Sequence, residues 1–120
     1  MKRDMDLVRD ILSQLAESDG EVDARTFVGD GRDLQLVAYH FQIMQEAGLI
    51  EANLQRAFGG SYVLAEAVRL TWEGNDFLAS VSSNKVWAKV KSDIAKHSVD
   101  APFSVIKQLA VTACMSMFGM

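Results

Sequence analysis

Leu7, Val8, Ile11, Leu12 and Leu15 recur at the three-to-four residue spacing that lines one face of a helix, so residues 4–17 are expected to form the first one. Asp4 and Asp6 stand near its start, where the helix dipole favours anions, and Asp19-Gly20 ends it. Thr26-Phe27-Val28 then reads as a brief strand, closed by Gly29-Asp30-Gly31. A second stripe of Leu34, Val37, Phe41 and Met44 predicts a helix over 33–47, with Asp33 or Asp30 as its cap and Gly48 where a terminating glycine belongs. Opposite that stripe lie Gln35, Tyr39, Gln42 and Glu46, flanked by Leu36 and Ile43. A helix apolar round most of its circumference is usually covered from two sides.

The pattern then changes to strands. Residues 49–54 and 62–70 flank Phe58-Gly59-Gly60-Ser61, which predicts a β-hairpin. Thr71 opens a third helix, with its hydroxyl ahead of Glu73. Asn84 is placed to cap a fourth, over 85–96, whose apolar positions are Val86, Trp87, Val90 and Ile94. His97 to Ala101 connects it to a last helix from Pro102 to about Phe118. This order predicts an α+β chain, mostly α: a reduced winged helix, with helices and a hairpin wing, in residues 1–83. Two helices in 84–120 follow, packing on that head or forming a dimer seam. Trp72 is expected to close the core over the first helix, and Trp87 to pin the fourth.

Several stretches together resemble one family. They are Met1-Lys2-Arg3-Asp4-Met5-Asp6-Leu7-Val8-Arg9, Tyr39-His40, Glu46-Ala47-Gly48-Leu49-Ile50-Glu51 and Arg69-Leu70-Thr71-Trp72-Glu73-Gly74. Val86-Trp87-Ala88-Lys89-Val90-Lys91 and Pro102-Phe103-Ser104-Val105 extend the likeness over nearly the whole chain. The family is the bacterial and phage group catalogued as domain of unknown function 2513. The resemblance implies a winged-helix-like head, a helical tail and frequent occurrence on phages and prophages. It supplies no catalytic or binding residue. Tails in that family tend to end in lysines, whereas residues 110–120 here carry no charge.

Composition narrows the functional classes. The chain has 120 residues, 49% hydrophobic and 23% charged, with one proline, which is the balance of an ordinary globular domain. No apolar run approaches the roughly 20 residues of a membrane-spanning helix. The charged opening does not look like a secretory leader, so a soluble, cytoplasmic protein is expected. Cys114 is the sole cysteine, which rules out an intramolecular disulfide or a multi-cysteine zinc site. Residues 1–83 hold seven Lys and Arg against fourteen Asp and Glu, a balance of −7; residues 84–120 hold five against two, or +3. An acidic head is poorly suited to gripping phosphates, because nonspecific DNA affinity comes from cations that displace counterions.

Candidate chemistry is sparse. Cys114 with His40 or His97 is the available nucleophile and base, but Cys114 falls among apolar residues and is expected to be buried and inert. His40 has no second ligand three or four residues away, so it reads as a partly buried imidazole bonded to a neighbour, not as a metal ligand. The glycine pairs lack the Lys-Ser/Thr of a phosphate loop. No catalytic, cofactor or metal residue is therefore assigned, and no small-molecule substrate is evident. For DNA, Gln35, Gln42 and Gln45 suit adenine edges, and Arg32 and Arg56 are the nearby cations. The 33–47 helix itself has no Lys or Arg.

For protein contact, Leu36, Tyr39 and Ile43 flank the second helix, and Met115, Met117 and Phe118 crowd the last one. The expectation is a non-enzymatic binding module of phage or prophage type, acting through protein contacts or as a homodimer. A DNA-binding transcriptional regulator is the second reading. An inhibitor of a host defence complex, whose acidic head imitates phosphate charge, is the third.

Overall fold

The computed structural model describes residues 1–97 and 101–117. They form five α-helices and a small antiparallel sheet, an α+β fold that is mostly α. The chain divides into two compact units, Met1–Asn75 and Asp76–Met120. The division falls inside the third helix and not after Ser83, because the second half of that helix buries Phe77 and Val81 and sets the Phe77 ring edge-on to Phe103, 5.0 Å away.

In the first unit, α1 spans Met5–Glu17. The Asp4 carboxylate caps it by accepting from the backbone N–H of Asp6 and Leu7, at 3.0 and 3.3 Å. Its stripe of Leu7, Val8, Ile11, Leu12 and Leu15 is buried as the spacing predicts. Each such side chain contributes about 1.5–3 kcal/mol relative to exposure.

The strand that follows is not at Thr26–Val28. It is the two-residue β1, Val22–Asp23, and Ala24–Phe27 form a single 3-10 turn. Two local interactions favour the turn. The Asp23 carboxylate accepts from the Arg25 N–H at 2.8 Å, and Phe27 is buried with its ring edge-on to Phe41 at 6.1 Å. Gly29 and Arg32 then exchange both backbone hydrogen bonds across Asp30-Gly31, whose φ values of 44° and 83° are those of a type I′ turn.

Helix α2 spans Leu34–Glu46, capped by Asp33, which accepts from Leu36 N–H at 2.8 Å. It buries Val37, Ala38, His40, Phe41 and Met44. Its end is a Schellman motif: Leu49 N–H returns to Met44 C=O and Gly48 N–H to Gln45 C=O, with Gly48 at φ 79°. The chain turns there into β2, Ile50–Arg56, which pairs antiparallel with β3, Tyr62–Leu70. The sheet order is β1-β3-β2, with Ile50 opposite Leu70, Arg56 opposite Tyr62 and Val22 opposite Ala67.

Helix α3, Trp72–Val81, starts against the Schellman turn. Thr71 donates its N–H to Leu49 C=O and its hydroxyl to Gly48 C=O, and accepts from Gly74 N–H at 3.0 Å. A Cβ on Gly74 would stand 2.0 Å from the Leu49 carbonyl oxygen, so only glycine fits. Two of the stretches that resemble the family, through Gly48-Leu49 and Thr71 to Gly74, thus meet in one structural corner, a signature corner of the chain. Trp72 lies outside it. Its side chain is 82% exposed and does not close the core over α1, because it stands on the solvent side of the first turn.

In the second unit, α4 spans Asn84–His97 and packs on α5, Phe103–Met117. Ser83, not Asn84, stands at the start of α4: Asn84 is already helical, and the Ser83 carbonyl accepts from Trp87 N–H at 2.9 Å. Val86, Trp87, Val90 and Ile94 are buried, as are Ile106, Ala110 and Ala113 of α5. Phe118 and residues 98–100 of the expected connector lie outside the described residues.

Candidate functional site

Helix α2 and the hairpin meet through side chains that the sequence offered to DNA. Gln35, Gln42 and Gln45 sit seven and ten residues along one helix and all turn towards the strands. Gln35 grips the Tyr62 backbone with both ends of its amide, accepting from N–H at 2.7 Å and donating to C=O at 3.0 Å. Gln42 Oε1 accepts from the Tyr62 hydroxyl and from Arg56 Nη2, the latter at 2.7 Å. The Arg56 guanidinium also lies 4.4 Å over the Tyr62 ring. Gln45 Oε1 accepts from Ala52 N–H at 2.6 Å, occupying a donor on the sheet's edge strand. Gln35, Gln42 and Arg56 thus converge on Tyr62, which is buried.

Arg32 stands elsewhere, against α1. It donates to Asp10 at 2.9 Å, and its Nε lies 3.8 Å from the Asp4 carboxylate. His40 joins the same seam. Its Nε2 accepts from Asp4 N–H at 2.7 Å and its Nδ1–H donates to Leu36 C=O at 2.8 Å. Both ring nitrogens are engaged, so neither offers a lone pair to a metal. Burial holds the His40 pKa below its ordinary value, against the opposing pull of the Leu36 carbonyl and Asp4.

An open cleft of about 760 Å³ runs between α1 and the Phe27–Arg32 turn, with Asp4, Asp10, Glu17, Asp30 and Arg32 on its walls. Among the described residues no group of three His, Cys, Asp or Glu is arranged to hold a metal ion. Cys114 is half-buried, more open than its neighbours in sequence suggested. On the sheet, Glu66 sits opposite Asp23, and its pKa is raised, first by a hydrogen bond with Glu21, then by burial and by the charges of Glu21 and Asp23.

The interface candidates fall in two places. Leu36, Tyr39 and Ile43 are half-buried on α2, while Met115 and Met117 are 48% and 44% exposed on α5. Four further apolar side chains, Met1, Phe58, Val63 and Trp72, are more open than any of these, and the two aromatics are the most exposed. Phe58, at the hairpin tip between Ala57 and Gly59, is fully exposed, and Trp72 is 82% exposed. By sequence Phe58 reads as a turn residue and Trp72 as a core one, and the structure exposes both. The signal for Phe58 was present: an aromatic beside Gly59-Gly60 at a hairpin tip has no neighbour of its own to pack on.

No helix among the described residues is long and apolar enough to cross a membrane. The family described as "Hypothetical protein (DUF2513)" matches residues 2–100. A relative from Haemophilus influenzae (strain ATCC 51907 / DSM 11121 / KW20 / Rd), described as "Uncharacterized protein", is 36% identical over 122 residues, spanning 99% of this chain and 100% of its own length. No solved structure matches the chain. With the signature corner at Gly48, Thr71 and Gly74 accounted for and the match running over most of the residues, the chain belongs to the DUF2513 family.

Proposed function

We propose that this chain is a non-enzymatic protein-contact module of phage or prophage type, cytoplasmic, built on a reduced winged-helix plan. Its first unit docks on a partner through the hairpin tip. The order of helix, short strand, helical turn, helix and hairpin supports the winged-helix reading. One observation carries the functional reading. The polar side chains that would read or grip DNA are already engaged in hydrogen bonds within the chain, Gln35, Gln42 and Arg56 at Tyr62 and Arg32 on α1, while Phe58 and Trp72 project without such a partner among the described residues. Pulling a glutamine off the hairpin to reach a base would leave Tyr62 and Ala52 groups without partners, at about 1–3 kcal/mol each where they are buried. An exposed aromatic, in contrast, gains by entering an apolar pocket on another protein.

The test pairs two assays. Host-lysate capture by the full chain is compared with capture by Phe58→Ser and Trp72→Ser, and a gel shift on duplex DNA is run at two salt concentrations. A retained partner that Phe58→Ser loses supports the reading. A salt-sensitive DNA shift at submicromolar protein, abolished in Arg56→Ala, contradicts it and favours the DNA-binding regulator.

A further inference from the structure

Helix α5 buries only a narrow stripe, Ile106, Ala110 and Ala113. Met117 continues that stripe by spacing. The opposite face carries Ser104, Gln108, Val111 and Met115, spaced four, three and four residues apart, which is the rhythm of a helix–helix seam. All four are exposed, Val111 at 42% and Met115 at 48%. None is charged, and from Gln108 to Met117 the sequence contains no charge at all. The neighbouring helix shows how this unit solvates an outer face: α4 presents Lys85, Lys89, Lys91 and Lys96.

We infer that the outward face of α5 is a self-pairing seam, and that its occupant is α5 of a second copy of this chain. The absence of charge fits that occupant. In a closed twofold contact every residue near the axis meets its own counterpart, so any charge there faces a like charge. A face that alternates Val111 and Met115 with Ser104, Gln108 and Thr112 meets its copy without such repulsion. The short polar side chains allow close approach, and Gln108 can hydrogen-bond across the axis. The seam is small, since a 15-residue helix is about 22 Å long, so the dimer is expected to be weak and dependent on concentration. This inference rests on the second unit alone and is independent of the hairpin tip.

Light scattering after size exclusion, on the full chain from about 10 to 500 µM, reads the result directly. The mass should rise from the 13.2 kDa chain towards twice that value. Met115→Glu and Val111→Glu should each weaken association by about tenfold or more, with unchanged circular dichroism and melting temperature, because both side chains lie outside the core. Gln108→Glu, at an already polar position, should do the same and serves if either apolar change perturbs folding. Phe58→Ser should leave the mass unaltered. A wild-type chain that stays monomeric throughout, or a Met115→Glu chain with intact fold that still dimerises as well as wild type, overturns the seam.

Discussion

Gly74 shows how tightly one residue is fixed by backbone geometry. A methyl at this position meets the Leu49 carbonyl at 2.0 Å, and a carbonyl held by Thr71 N–H cannot simply turn away. Gly74→Ala should therefore lower stability by about 1–3 kcal/mol in a urea titration, the usual cost of overpacking. Gly59→Ala, which meets nothing within 4 Å, should leave it nearly unchanged. His40 is fixed by chemistry instead. Its folded pKa lies below the ordinary 6.5, mainly because it is buried, with Arg32 and Arg3 adding repulsion and Asp4 opposing them. The unfolded chain then binds the proton first, so stability is fully present above about pH 6.5 and falls as pH drops below it. Urea titrations at pH 7.5 and 5.5 should show that loss in wild type and a flatter response in His40→Gln. A wild-type chain that gains stability between those values would refute the assignment. His40 was legible in sequence as a bonded imidazole, but its partner, the backbone of Asp4 thirty-six residues away, was not.

The elements were legible where a period repeats for several turns. The stripes of α1 and α2 and the glycine after α2 placed both helices correctly, because helical spacing and a C′ glycine are local signals. The 24–27 segment was misread since a three-residue apolar run does not separate a strand from a helical turn; the Asp23 cap and the Phe41 contact decided it. The polar face of α2 was read as available when it is the glue for the hairpin, since sequence cannot show what a glutamine faces across a sheet. Trp87 was read correctly and is 3% exposed, so Trp87→Ala should cost about 3–5 kcal/mol, measurable as a large drop in melting temperature. On β3, replacing Glu66 by Gln should raise the melting temperature at pH 7 and lose that advantage near pH 4. The raised pKa means that stability from the protonated carboxyl is already lost as pH rises through it.

For the whole molecule, charge and side-chain engagement point the same way. The acidic balance of the first 83 residues disfavours a phosphate backbone, and the cations nearest α2 are both tied down, Arg32 by Asp10 and Asp4 and Arg56 by Gln42 and the Tyr62 ring. Among the apolar side chains open to a partner are Phe58 and Trp72 on the first unit and Val111 and Met115 on the second. Sequence pointed to Met115 through an unbroken uncharged run but not to Val111, and it missed Phe58 and Trp72, because a single aromatic carries no period. The central claim is that α2 holds the hairpin and does not read DNA. Nitrogen–proton correlation spectra of the folded chain, titrated with duplex DNA at low salt, test it most directly. The side-chain amide signals of Gln35, Gln42 and Gln45 and the guanidinium signal of Arg56 should stay where they are up to equimolar duplex. Saturable shifts of those same signals, reversed by added salt, would contradict it.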